Sequence, residues 1–400
     1  MMKTLKNFLM LFALTAAMVA CSSDDDGDGG TNPNPPVEQK DGSIDSQTDP
    51  DLDAADLKGS VTVDITLDAA TNWVLSGSLR VKEGATLTIE PGTTIRAVSG
   101  GTDVFIAIEQ GAQINAAGTS SSPITMTSNA GNPRGGDWGG LLIAGRAPIN
   151  TGDTAETEVV GINYGGSVAD DNSGVITYVK LEYTGARING DQEFNGLSLY
   201  GVGSGTVVNH VAVFFGEDDG IEWFGGTVQS DNLLVVNAKD DWFDWTEGWN
   251  GGGDNWYGIR TEDFTDATSD PRGIEADSNS RNNDATPRSN PTINGLTLVH
   301  ASNFEMADMI KIRRGSAATI DNVLVALIGD ATAGDFIDLN DGSGTADAST
   351  SITGAVGFGI DITDINNPVS ATIEAIEGAT GGADVTVFAW TGFTFPAIAN

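Results

Sequence analysis

The chain has 400 residues, a formal net charge of -37, 52 glycines and a single cysteine. Nineteen Lys and Arg against 56 Asp and Glu argue against nucleic acid as a partner, because phosphate backbones are held by basic surface that releases counterions. One cysteine excludes an intramolecular disulfide, so packing must stabilise the body.

Lys3 and Lys6 precede an apolar run from Phe8 to Ala17, followed by Met18-Val19-Ala20-Cys21. A charged start, a short apolar stretch and a small residue before the cut predict a secretory signal peptide over 1–20, too short to span as a mature helix. The run ending in Cys21 resembles a lipobox, with Met18 where Leu is usual, and implies lipidation of Cys21. Ser22-Ser23-Asp24-Asp25-Asp26-Gly27-Asp28 resembles the acidic export signal of Bacteroidota lipoproteins. It implies an outer-membrane protein held by its N-terminal lipid and facing the extracellular side. The region 21–58, with Asn32-Pro33-Asn34-Pro35-Pro36 and scattered Asp, lacks apolar content and predicts a disordered acidic linker.

From Gly59 onward, short apolar alternations separated by Gly, Asn and Asp predict strands. Gly84-Ala85-Thr86-Leu87-Thr88-Ile89 returns 27 residues later as Gly111-Ala112-Gln113-Ile114-Asn115-Ala116, and a fixed period of this length means a solenoid. Two further motifs shift together. One opens at Asn209, Asp231, Asn294 and Asp321; the other at Asp219, Asp241, Asp308 and Asp335. Both advance by 22 residues between the first two copies and by 27 between the last two. An all-β, right-handed parallel β-helix over 59–400 is the fold these shifts imply, with equivalent residues stacked in columns at ~4.8 Å. Alternation points Ile221, Trp223, Phe243 and Trp245 inward and Glu222 and Asp244 outward. The Asn and Asp of the first motif read as a structural ladder at the turns. Residues from about Ala371 read as final rungs and a cap.

Trp138-Gly139-Gly140-Leu141, Tyr200-Gly201-Val202-Gly203-Ser204-Gly205-Thr206, Asp218-Asp219-Gly220-Ile221-Glu222-Trp223-Phe224-Gly225-Gly226 and Gly273-Ile274-Glu275-Ala276-Asp277 resemble a family of right-handed β-helix surface lipoproteins of unassigned biochemical role. The resemblance implies a cell-surface lipoprotein working beside outer-membrane uptake machinery, without supplying a substrate.

Acids and aromatics concentrate between 214 and 257. Trp242, Trp249 and Trp256 are candidates for an exposed sugar-binding surface beside carboxylates, or for packing under the loop after them. Glu275 is a further ligand-binding candidate. That loop, 250–291, is expected to be the longest irregular region and to border the acidic columns. Asp218 and Glu222 share an outward phase with Asp240 and Asp244 one turn on. These four carboxylates, joined by Asp219 and Asp241 as ligands or as turn caps, form a candidate Ca²⁺ site. Neutralisation by Arg260, Arg272, Arg313 and Arg314 is the alternative. Two histidines, His210 and His300, stand without a Ser or Cys motif, and neither zinc spacing nor a phosphate loop occurs. The expectation is a binding or scaffold module for a glycan, Ca²⁺ or an outer-membrane transporter. The alternative is a polysaccharide-active hydrolase or lyase using stacked carboxylates. Glu217-Asp218-Asp219 with Lys311-Ile312-Arg313 faintly resembles the polygalacturonase pattern, without that family's Gly-His-Gly.

Overall fold

The computed structural model describes residues 42–158, 160–189 and 192–398. The predicted signal peptide, Cys21 and the acidic export signal lie outside these residues. None of the described helices is long and apolar enough to cross a membrane.

Among the described residues, twenty-five strands join in one hydrogen-bonded network, wound as the parallel β-helix that the repeats require. Each central turn supplies one short strand, as in Leu197–Tyr200, Ile221–Phe224 and Phe243–Thr246, and one long strand, as in Val207–Phe214, Ser230–Val236 and Gly252–Arg260. The long strands bend midway at a left-handed residue: His210, Asn232, Asn255 and Asn322 have φ between 54° and 68°. Asn tolerates this conformation better than most side chains. The bend divides each long strand between two sheets, giving the solenoid three faces. At the same corner Asn232 Nδ2 donates to Asn209 Oδ1 at 2.9 Å, and the Asp254 amide donates to Asp231 Oδ1 at 2.9 Å. The predicted polar ladder is therefore present, shared between the motif residue and the one after it.

Register keeps to the repeat. Ile221 pairs with Phe243, Glu222 with Asp244 and Trp223 with Trp245, and Phe243 then pairs with Ile274 and Ile274 with Ile310. The inward members Ile221, Trp223, Phe243 and Trp245 are wholly buried, each worth roughly 1.5–3 kcal/mol of transfer free energy before entropy is counted.

Three expectations are corrected. The tether ends before residue 58: Ser43–Ile44 pairs with Ser60 and Val61, and Ile44 and Leu57 are fully buried, so two apolar side chains suffice to start the first rung. The supposed irregular region 250–291 contains two strands, Gly252–Arg260 and Arg272–Ala276. Only the segments after each strand are irregular. Finally, Thr372–Glu377 is a rung, but the chain beyond it does not cap the end. It runs back along the flank through a 3₁₀ turn, Val385–Thr391, and buries Phe388 in a cluster with Phe214, Leu234, Tyr257 and Val299.

Candidate functional site

The short strands carry a column of outward side chains in strict register: Ser198, Glu222, Asp244, Glu275. A second column lies three residues earlier, where the chain enters each strand, and holds Asp219, Asp241 and Arg272. Arg272 pairs with Asp308, and Asp308 with Asp335. Each rung also places Asp218 or Asp240 immediately before this column. The six carboxylates selected from the sequence, with Glu275, converge on one pocket of about 300 Å³.

Outward from the solenoid does not here mean solvated. Asp218, Asp219, Glu222 and Asp241 are buried, because insertions rise around the columns. Glu158 enters from the loop between the paired strands Ala155–Glu156 and Asn163–Tyr164, Glu193 from the hairpin of Arg187–Asn189 with Gln192–Glu193, and Asp270 from the segment before Arg272. Ten of the eleven lining residues are Asp or Glu, the exception being Arg272.

Hydrogen bonds fix part of each carboxylate and leave part facing the pocket. Asp219 Oδ1 accepts from the Asp241 amide at 2.8 Å, and Asp241 Oδ1 from the Arg272 amide at 2.6 Å. These two residues therefore cap their turns while still lining the cavity. Glu222 accepts from Asn195 Nδ2 at 2.5 Å, and Asp240 from Thr268 Oγ1 at 2.7 Å. Asp218 is held by Arg187 Nη2 at 2.7 Å. Asp244 Oδ1 is buried without a hydrogen-bond partner among the described residues.

Burial raises the pKa of Asp218, Asp219, Glu222, Asp240, Asp241 and Asp244. Neighbouring carboxylates push Asp219, Glu222, Asp241 and Asp244 further up, while Arg187 opposes the shift at Asp218. Such a group of acids must hold protons or find cations. Among the described residues, the Arg187–Asp218 contact is the one ion pair made by these six.

The neighbouring rungs supply their own cations. Lys311, which pairs with Asp338, also stands 3.4 Å from Asp308, and Arg272 Nε lies 3.1 Å from Asp308. Arg313 pairs with Glu275 and with Asp277 at 2.7 Å, and Arg314 with Asp277 at 2.9 Å. Arg272 also reaches Glu275 at 2.5 Å, so Arg272, Arg313 and Arg314 together neutralise Glu275, Asp277 and Asp308. Arg260 makes no ion pair among the described residues, yet its charge favours the ionised forms of the nearby Asp219, Asp240 and Asp241. It is fully buried, donates to the Ala238 and Asp240 carbonyls and sits 4.9 Å over the Trp242 ring.

Oxygens of Asp218, Asp219 and Asp240 lie within 4.8 Å of one another, as do those of Asp219, Asp241 and Asp244. Ca²⁺–O bonds of ~2.3–2.6 Å set opposed ligands ~4.6–5.2 Å apart, so oxygens this closely grouped fit around one such ion. The all-oxygen donor set suits a hard cation and not zinc. Pairs this close are also too near for the ~6.5–9.5 Å separation of an inverting glycosidase.

The sugar-binding surface expected of Trp242, Trp249 and Trp256 is absent, because all three are fully buried. Trp256 stacks on Trp223 at 4.9 Å and 2°, and Trp249 on Trp223 at 4.7 Å and 17°. Trp242 is seated against glycines: a Cβ at Gly258 would come within 2.7 Å of its ring, and one at Gly273 within 3.2 Å. Sequence reasoning missed Glu158, Glu193, Asp270, Arg187 and Asn195, which lie outside both repeated motifs and reach the site through tertiary packing alone.

The pectate-lyase like beta helix domain family matches residues 59–390. Among solved structures, the chain is similar to the catalytic domain of a GH87 alpha-1,3-glucanase in complex with nigerose, at 11% identity and a TM-score of 0.31. The match covers 80% of this chain and 62% of that one. No curated protein matches.

Proposed function

This chain belongs to the pectate-lyase-like β-helix domain family, and from that premise we propose that it is a surface-anchored module that holds Ca²⁺ in its carboxylate pocket and engages a polysaccharide there. The family's name points to polysaccharide as the ligand class. The observation that carries the cation is the contrast along the columns. Rungs from Glu275 onward contain Arg or Lys paired with their acids, whereas the rungs bearing Asp218 to Asp244 gather six carboxylates with one ion pair among the described residues, Arg187–Asp218; Arg260 and Arg272 act on them without forming an ion pair with them. A pocket this negative repels an anionic sugar unless a divalent ion intervenes, and it offers an ion-bound sugar hydroxyl or carboxylate a place to complete the coordination shell. Lipidation at Cys21, an outward-facing outer-membrane position and partnership with an uptake transporter complete the proposal. Calorimetric titration with CaCl₂ tests its centre. Binding that disappears in Asp240→Asn plus Asp244→Asn supports it, and no heat at millimolar Ca²⁺ rejects it.

A second reading is supported by the raised pKa values of Asp219 and Glu222. A carboxyl that keeps its proton beside ionised neighbours can act as the general acid of a glycoside hydrolase. Release of reducing ends from polysaccharide in EDTA, abolished in Glu222→Gln, would favour that reading over the cation-dependent one.

A further inference from the structure

A second concavity, about 420 Å³, lies across the turn from the carboxylate pocket. Segments 216–219 and 239–241 form the ridge between them: Glu217 and Lys239 line the new cleft, whereas Asp218, Asp219, Asp240 and Asp241 line the pocket. The cleft's apolar wall is the ring pair Tyr183 and Phe215, stacked at 5.3 Å and 12°, with Phe264 also lining it. It shares Phe215 and Asn237 with a further depression of about 310 Å³ that runs toward Phe393.

The backbone of this wall is unusual for its side chains. Tyr183, Phe215 and Asn237 occupy successive rungs with φ of 62°, 59° and 60°. This corner needs a left-handed residue, which Asn supplies at low cost and a bulky aromatic does not. Phe215 nevertheless sits here with 37% of its surface exposed. The midway bend of the same strands shows how the fold treats such a pair when it is structural. There Tyr178 and His210, with φ of 51° and 54°, stack at 4.2 Å, and Trp390 closes over Tyr178 edge-on at 5.5 Å and 78°. Among the described residues, no ring plays the part of Trp390 for Tyr183, and the cleft occupies that place.

We infer that the Tyr183–Phe215 cleft is a separate binding site for a neutral glycan, with a pyranose ring taking the position that Trp390 takes at the other corner. Charge argues for a neutral ligand. Lys239 is committed to Glu217 at 2.8 Å and Asp266 at 2.5 Å, and the two cations lining the cleft, Arg134 and Lys239, are balanced by these two carboxylates, which leaves no net positive charge for a uronate. Amphipathic sugar rings pack their C–H surface on aromatics while polar groups at the rim, here Arg134, Glu217 and Asp266, take hydroxyls. The inference rests on the polysaccharide reading for its ligand class and adds a site that needs no cation.

Calorimetric titration of the full chain with laminarihexaose, cellohexaose and maltohexaose, each in EDTA, tests it. At least one should bind, and Phe215→Asn and Tyr183→Asn should each weaken that binding by about tenfold or more. Both variants place at the corner the residue type already found at Asn237, so thermal unfolding should show them folded. Asp240→Asn plus Asp244→Asn should leave binding unchanged. No binding of any of the three at millimolar concentration overturns the inference, as does binding that both ring variants retain. Binding that requires Ca²⁺ and is lost in the Asp240/Asp244 variant also overturns it, while leaving the carboxylate pocket as the polysaccharide site.

Discussion

Replacing Asp244 with Asn should change the sign of its effect on stability according to whether Ca²⁺ is present. Asp244 has an oxygen within 4.8 Å of oxygens of Asp219 and Asp241. At an effective dielectric near 20, two unit charges that far apart repel by ~3.5 kcal/mol. Burial and neighbouring carboxylates raise the pKa of all three carboxyls, so retained protons relieve part of that repulsion in the cation-free protein. Relief of ~1–2 kcal/mol by Asp244→Asn in EDTA is the corresponding expectation. With Ca²⁺ at ~100 times its dissociation constant, the wild type gains ~2.7 kcal/mol that a variant lacking the site does not. Thermal unfolding at pH 7 should therefore rank the variant above wild type in EDTA and below it in millimolar Ca²⁺, by ~2–4 °C per kcal/mol or less in a chain of this length. If the two curves keep the same order in both buffers, the pocket does not hold Ca²⁺ through Asp244.

Packing and charge set three more outcomes. Ile221→Asp or Val323→Asp, both at fully buried positions, should cost several kcal/mol by burying an unpaired carboxylate between turns, seen as a lower denaturant midpoint. Trp249→Ala should cost ~3–5 kcal/mol because its indole stacks on Trp223 inside the core, and any effect on glycan binding should disappear once the comparison is made at equal folded fraction. In EDTA the pocket acids, whose folded pKa values lie above their unfolded ones, make the folded state bind more protons than the unfolded state. Stability should consequently fall as pH rises from about 4 through the raised values, with Ca²⁺ flattening the profile; a Tm in EDTA that climbs from pH 5 to pH 8 contradicts this.

The sequence was informative where a residue's role is set by its own rung. Paired shifts of two motifs gave the register that puts Asp244 beside Glu222, and strand alternation placed Trp223 and Trp245 inside. Two kinds of feature escaped. Arg272 occupies the column position held by Asp219, Asp241 and Asp308, so a search for an opening Asp passes over that rung and leaves Glu275 without its register. Trp242, Trp249 and Trp256 looked free to be exposed because alternation fixes faces only within strands. Trp242 and Trp249 flank the short strand Phe243–Thr246, where the chain turns inward around each indole, and Trp256 is the inward residue of a strand whose sequence reads as loop.

The columns also explain why an ion would be taken up at this place on the solenoid and not elsewhere along it. Stacking at one residue per rung forces like side chains into contact, and every ladder of acids needs a device to offset the repulsion. At the C-terminal rungs the device is covalently part of the chain: Asp308, Asp335 and Asp338 lie within 4.8 Å of one another, a grouping as tight as either trio of the pocket, and the Lys311 ammonium pairs with both Asp308 and Asp338. The rungs bearing Asp218 to Asp244 have the same oxygen grouping with no ammonium between the acids. Lys311 therefore serves as an internal control for the proposal, and Lys311→Gln makes it testable. Once that ammonium is removed, the Asp308–Asp335–Asp338 trio should require a cation of its own. Calorimetry of the variant should then show a second Ca²⁺-binding event, independent of Asp240 and Asp244. Should the variant fold and still bind no more Ca²⁺ than wild type, oxygen grouping of this kind would not be sufficient to hold the ion, and the assignment of the main pocket would lose its strongest support.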